Sequence, residues 1–460
     1  MTTASLSEKT ALYRTLWRWH FYAGLFVMPM LVILSLTGAL YLFKPQVERW
    51  EERAFQGLPV AGAVSPSTQR DAALAAFPGA TFHNYRLPER PSDAAMIHLA
   101  LAGGAMRDVF VSPQGDVLGS FDPERRIMAV AHDIHGQLLL GPRGSWIVEL
   151  AASWAIVMIA TGLYLWWPKG QNGGRGAAGA LYPRGGKAFW RDMHAVTGFW
   201  VSGLALVLLV TGLPWAGVWG SSFKAVREQM GWVKGAQDWT IGGRVADGGG
   251  RAPDAASDAG EHAEHDHAAM MAGMSHAGHA MHMPDALDSI VGKAAAEHLP
   301  FPVIVTPPGA PQAFGAKAAP QWTVRSDTQN RPQRITIRYD AASARELSRD
   351  SFADKHVIDR VVGYGVAWHE GALFGWVNQL IGLLTALMLV AMSVTGFILW
   401  WRKRPKGSLG APPRPRTPAR SIGVLLIGTF FFLTLPLFAL SLVAIAVLDL
   451  VGRRVMKVPA

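Results

Sequence analysis

Thr161-Gly162-Leu163-Tyr164-Leu165-Trp166-Trp167 returns 234 residues further on as Thr395-Gly396-Phe397-Ile398-Leu399-Trp400-Trp401, and each copy closes a long apolar run. Carried backwards without a gap, the same offset pairs Gly141 with Gly375 and His135 with His369. Across residues 135–169 and 369–403, 13 of 35 positions are identical, more than a shared apolar composition produces. A second, weaker offset of 174 pairs His20 with His194, Gly24 with Gly198, Val27 with Val201 and Thr37-Gly38 with Thr211-Gly212. The chain therefore reads as two copies of one unit. Each copy runs through a His, a span, a polar region, a second His and a second span.

Four segments are long and apolar enough to cross a bilayer core, which takes about 20 residues: Phe21 to Phe43, Trp146 to Trp167, Val196 to Trp219 and Ala372 to Trp401. The first is followed by Lys44-Pro45-Gln46-Val47-Glu48 instead of a small-residue cleavage site, so it is expected to stay as an anchor. Basic residues precede the first span (Lys9, Arg14, Arg18), separate the second and third (Lys169, Arg175, Arg184, Lys187) and follow the fourth (Arg402, Lys403, Arg404, Lys406). The positive-inside rule makes those three regions cytoplasmic and the two large polar regions external.

The expected organisation is a first transmembrane helix within 1–43, an outer module over 44–145, a second helix over 146–167 and a cytoplasmic loop over 168–193. A third helix over 194–220, a second outer module over 221–371, a fourth helix over 372–401, a cytoplasmic loop over 402–420 and a hydrophobic segment over 421–460 follow. Asp108-Val109-Phe110-Val111-Ser112-Pro113-Gln114-Gly115-Asp116-Val117-Leu118-Gly119 reads as strand, turn, strand, and Arg334 to Asp340 as a matching strand in the second module. Pro436 lies near the middle of the apolar stretch 421–451, which favours one kinked fifth span over a re-entrant hairpin. The fold class expected is a mainly α membrane protein with two parallel repeats of paired helices and two α+β outer modules.

Half of the 460 residues are hydrophobic, only 17% are charged and Cys is absent. That composition points to a membrane protein and excludes disulfides, thiolate nucleophiles, Cys-held iron–sulfur clusters and covalently attached haem. The net charge of +10 lies mainly beside apolar runs, as membrane topology requires, and does not call for nucleic acid.

Parallel repeats place equivalent residues at equal depth, so His20 should face His194 and His135 should face His369. Two imidazoles at one depth are what a b-type haem needs as axial ligands, and ionisable residues at membrane depth are usually functional. Gly24 and Gly38 lie four and 18 residues after His20; since 18 residues make five turns, all three share a face, as do His194, Gly198 and Gly212. Such glycines admit a flat macrocycle or a neighbouring helix. His132, three residues before His135, competes for its role, but its counterpart is Val366, so His135 is preferred. His83, His98, His298 and His356 have no repeat partner and are expected at the surface.

A separate tract holds six histidines (His262, His265, His267, His276, His279, His282) and five methionines (Met270, Met271, Met274, Met281, Met283) within 262–283. Imidazole and thioether without thiolate suit copper; the competing explanation is a linker of biased composition.

Taken together, Trp17-Arg18-Trp19-His20 leading to Leu36-Thr37-Gly38, Asp133-Ile134-His135 leading to Thr161-Gly162, and the repeats Asp192-Met193-His194 and Trp368-His369-Glu370 resemble the PepSY-associated transmembrane helix family. That family comprises bacterial inner-membrane proteins that include ferric-siderophore reductases. The resemblance implies haem-carrying spans, PepSY-like periplasmic modules and reduction of a ferric complex outside the membrane with electrons from within. The His/Met tract and the terminal hydrophobic segment depart from the family pattern, and the tract leaves copper open as the metal.

The expectation is therefore a dihaem inner-membrane reductase with two b haems, drawing on a quinol or a cytoplasmic reductase and acting on a ferric-siderophore. The rivals are a haem-free copper transporter or binding protein, a cupric reductase using the His/Met tract, and a membrane-anchored regulator. No H-E-x-x-H or G-x-S-x-G pattern supports a peptidase.

Overall fold

The computed structural model describes residues 3–167, 189–232, 241, 285–310, 319–413 and 422–455. The first half contains α1 (Thr3–Tyr41), α2 (Lys44–Glu51), α3 (Pro66–Ala76), β1 (Thr81–Arg86), β2 (Ala95–Ala100), β3 (Met106–Val111), β4 (Val117–Phe121), α4 (Ile127–Gln137) and α5 (Pro142–Trp166). The second contains α6 (Phe189–Gly212), α7 (Gly217–Gln229), α8 (Ala286–Ala296), β5 (Val303–Thr306), β6 (Trp322–Ser326), β7 (Ile335–Tyr339), β8 (Glu346–Ser351), α9 (Val357–His369) and α10 (Trp376–Lys403). The chain closes with α11 (Ile422–Thr434) and α12 (Pro436–Val455).

Four helices are long and apolar enough to cross a membrane: Ala11–Tyr41, Pro142–Trp166, Phe189–Trp215 and Trp376–Lys403. Their large side chains, such as Leu36, Trp200, Val210, Leu384 and Leu387, face outward, while Ser35, Ser153, Thr161, Ser202, Thr385 and Thr395 are buried. Small polar residues let membrane helices approach closely and bond across, which is the arrangement of a bundle surrounded by lipid. α1 packs on α5 and α10, and α6 on α10 and α5.

Two span boundaries differ from those expected. α1 begins at Thr3 because no Gly or Pro interrupts residues 4–20, and His20 therefore lies inside the span instead of at its edge. The third span stops early: Pro214 sits in a 3-10 turn over Leu213–Trp215, and α7 starts afresh at Gly217. The terminal segment holds a larger bend than a proline kink, since the chain turns by 114° between α11 and α12. Phe438 of α12 packs on Trp154 of α5 at 5.0 Å between ring centroids.

The two polar regions do not form separate modules. Their strands join in one eight-stranded antiparallel sheet of order β4-β3-β2-β1-β5-β6-β7-β8. The seam is Tyr85 opposite Val305 and Arg86 opposite Ile304. Each half alone would leave the edge of its first strand unpaired, and pairing β1 with β5 satisfies both. One face of the sheet buries Ile97, Leu99, Val109, Val305, Val324 and Ile337 against Ala73 of α3 and Leu287, Ile290 and Ala294 of α8. Asp288 of α8 locks that layer by accepting from the Ser67 backbone N–H (2.7 Å) and hydroxyl (2.8 Å) at the start of α3. The opposite face of the sheet looks onto a cavity.

α4 and α9 each end on a histidine turn that reverses into a span. Gly141 (φ 59°) and Gly375 (φ 60°) make the reversals before α5 and α10, a left-handed conformation that non-glycine residues rarely adopt. This is why the two glycines recur at the 234 offset. Arg227 of α7 pairs with Asp359 of α9 at 2.7 Å, both buried, and fixes one short helix over the other.

Candidate functional site

A cavity of about 1440 Å³ lies within the bundle and extends to the sheet, lined by His20, His194, His135 and His369 among others. All four histidines meet the rest of the protein in one way. The His20 Nδ1–H donates to Thr161 Oγ1 (3.1 Å) and to the Met158 carbonyl (3.2 Å), while the Thr161 hydroxyl donates to the Val157 carbonyl (2.9 Å). His194 does the same with Thr395 (3.2 Å) and the Met392 carbonyl (3.1 Å), the Thr395 hydroxyl being spent on Ala391. His135 bonds Thr37 at 3.1 Å and His369 bonds Thr211 at 3.2 Å, with the Leu34 and Leu208 carbonyls as second acceptors. Because each threonine hydroxyl hydrogen goes to its own preceding turn, its oxygen can only accept. The proton is thereby held on Nδ1, and Nε2 keeps its lone pair.

The glycine after each threonine makes room for the ring. A Cβ added at Gly38 or Gly162 would lie 3.0 Å from Cε1 of His135 or His20, and one at Gly212 or Gly396 would lie 3.3 Å from Cε1 of His369 or His194. The Thr-Gly pairs that mark the repeat in the sequence are thus the four histidine cradles. Their role was hidden because each serves a histidine on a different helix. Gly24 and Gly198, the other glycines singled out, also line the cavity but face Met158 and Met392 instead of a histidine.

The histidines meet as the repeat predicts. Ring centroids are 6.5 Å apart for His20 and His194, with planes at 79°, and 6.2 Å apart for His135 and His369, with planes at 76°. Two imidazoles binding one metal from opposite sides, with bonds of about 2 Å and a ring centre about 1.1 Å beyond each nitrogen, stand about 6.3 Å apart. The residues present fit a bis-imidazole centre at both places. Burial, together with the neighbouring His369 and His132, holds the His135 imidazole down to about 3, and burial lowers His369 as well. Both are then neutral, the form that ligates.

His132 does not join a pair. It lines the cavity with its ring 5.7 Å from that of Tyr41. The six histidines and five methionines of 262–283 lie outside the described residues. His298 is exposed, as expected, and half-buried His356 accepts from the Ile358 N–H at the start of α9.

The expectation for His83 and His98 is overturned. They are buried, 6% and 4% exposed, on the cavity side of the sheet. His98 Nδ1 lies 2.6 Å from Asp108 Oδ1, and the two rings are 5.4 Å apart. Burial, then His98, lowers the His83 imidazole to about 4. They had no repeat partner, and a β-bulge invisible in the sequence turned one of them inward.

Around these histidines the wall is charged and paired. Glu52 takes Arg86 at 2.6 Å and Arg126 at 2.8 Å; burial acts to raise its carboxyl, but the two guanidinium groups prevail and hold it below the usual range. Arg331 binds Glu370, next to His369, through two bonds of 2.9 and 3.2 Å in a buried setting. On the opposite side of the bundle Arg191, Lys403 and Arg404 line the cavity near the other histidine pair.

No curated protein matches the chain. The model of one family, described as the PepSY-associated TM region, matches residues 17–403, from just before His20 to just beyond the second Trp pair. The stretch it matches holds all four histidine cradles and the sheet, and the chain belongs to that family.

Proposed function

We propose that the chain is a dihaem membrane reductase, with one b-type haem held by His20 and His194 and a second by His135 and His369. What carries the reading is the fourfold repetition of one cradle: Nδ1 anchored on Thr, ring seated on Gly, and paired rings 6.2 and 6.5 Å apart. Bound there, haem iron supplies one-electron exchange without proton transfer at its ligands. The protein's part is orientation. The threonines hold the tautomer that leaves Nε2 as ligand, and hydrogen bonds of this kind to a ligand's other nitrogen commonly tune metal affinity and potential.

α1 contributes to both centres, His20 to one and, 17 residues or about 25 Å along, Thr37 to the other. This is the span of a membrane core, so the two pairs sit towards opposite faces. We place the sheet outside the bacterial inner membrane, in the periplasm, and treat the halves as parallel repeats related by an axis along the membrane normal. Electrons enter from a quinol or a cytoplasmic reductase at the His20/His194 end. They leave to a ferric-siderophore at the sheet end. One electron per iron converts Fe(III) to Fe(II) and weakens the chelate.

The test is a dithionite-reduced minus oxidised spectrum of the purified protein with haem quantified per chain. A sharp b-type band with about two haems per chain is expected. A colourless protein after expression with ample haem overturns the reading and favours a haem-free copper carrier, the alternative that the 262–283 tract supports.

A further inference from the structure

The roof of the cavity carries chemistry that the histidine pairs below it do not use. In β2 and β3, His98 stands directly opposite Asp108, and its partner on the other side, in β1, is Asn84. The register slips between Phe82 and Asn84, and the extra residue at that bulge is His83. Regular alternation would place His83 on the face of Tyr85, in the core; the bulge re-aims it into the cavity beside His98. Met96 and Met106, on the same face of β2 and β3, line the cavity next to them.

The ring separation distinguishes this group from the pairs in the bundle. For two imidazoles bound to one metal at angles between 90° and 120°, the centroids stand about 4.5 to 5.5 Å apart, against about 6.3 Å for opposite sides. His83 and His98 are at 5.4 Å. Asp108 fixes the proton of His98 on Nδ1 and leaves Nε2 as a ligand, the carboxylate–histidine arrangement of metal sites. Sheet architecture does not require the group. Across the β1–β5 seam, Arg325 and Thr336 take the places of His98 and Asp108 in the register, and β5 pairs with β6 without a bulge, so His83 has no counterpart.

We propose that His83 and His98 form a cis di-imidazole site for a low-valent transition-metal cation, and that it receives the Fe(II) freed by reduction at the neighbouring centre. The second half rests on the reductase function proposed above. The donor set gives the transfer a direction. Fe(III) favours the hard oxygens of a chelator, whereas borderline Fe(II) accepts imidazole. Among the described residues no three His, Asp or Glu side chains converge on one point, so the cation keeps open positions and is held in passing. Arg126, just ahead of α4, reaches towards Asp108 at 3.9 Å, and His135 follows nine residues, about 13 Å, along that helix.

The experiment is anaerobic equilibrium dialysis of the full-length, haem-loaded protein against Zn(II), a redox-inert probe, with haem measured in parallel. H83A and H98A should each bind one equivalent fewer than wild type at unchanged haem content, and D108N should bind 10- to 100-fold more weakly at that equivalent. H298A, altered at an exposed histidine, should match wild type, and metal held by residues 262–283 is common to every protein compared. Unchanged Zn(II) stoichiometry in both H83A and H98A overturns the proposal, as does an equal loss in H298A. Should H98A lose haem through misfolding, H83Q at the bulge decides the matter. Wild type without haem would sink the reductase function while the Zn(II) comparison still stands. Fe(II) that binds from solution but never appears at the site during turnover would overturn the product role.

Discussion

The membrane bundle and the sheet above it are built from the same duplicated halves but treat the duplication differently. In the bundle each half supplies one histidine to each pair, and every histidine has the same threonine and glycine. In the sheet, the second half has Arg325 and Thr336 where the first has His98 and Asp108, and it has no bulge to match His83. A centre gripped from two sides needs both halves to keep the same chemistry. A roof facing one cavity needs its donors only once, and its two halves are free to differ.

The largest effects should come from breaking a pair in the bundle. H135A or H369A should lower haem from about two to about one per chain, and H20A or H194A should remove the other haem, each read by haemochrome quantification. If both haems survive either change, the pairing itself is wrong. Next in size is the charged wall. R331M leaves Glu370 buried without its partner, at a cost of roughly 3–5 kcal/mol, which should appear as a lowered thermal midpoint in detergent. Adding E370Q to the same chain should recover part of it.

A smaller effect tests the cradles. T161V and T395V each remove the oxygen that accepts from an Nδ1–H, at about 1 kcal/mol, and should loosen the His20/His194 haem while leaving the other unchanged. Equal loosening of both haems would contradict the assignment of threonines to pairs. At neutral pH the smallest effect is in the roof. The His83 pKa lies near 4 in the folded protein and near its ordinary 6.5 unfolded. The unfolded chain then binds more protons between those values, so stability is full above pH 6.5 and falls as pH drops towards 4. H83Q should flatten that part of a stability–pH profile, and an unaltered slope would place the titration elsewhere.

Much of this was legible because it is periodic. The offsets of 234 and 174 identify which histidines meet, since each pairs residues at matching places in the two halves. The hairpin around Pro113-Gln114-Gly115 became β3 and β4, and Arg334–Asp340 became β7, from alternation and turn residues alone. The threonines stood in plain view as repeat markers, yet their partners are 98 to 201 residues away, and no local pattern reveals a bond across helices. His83 and His98 lacked any repeat signal, and only the bulge and the closure of strands over the cavity bury them.

The sequence by itself determined the membrane spans, their duplication and the choice of four histidines, because hydropathy, glycine turns and internal similarity are local or periodic properties of a chain. Tertiary structure decided that the two polar regions share one sheet, that Thr-Gly seats the histidines, and that a second pair of imidazoles looks into the cavity. Those features depend on edges, registers and approaches between segments distant in the chain, which are settled only when the backbone bonds of both halves are satisfied together.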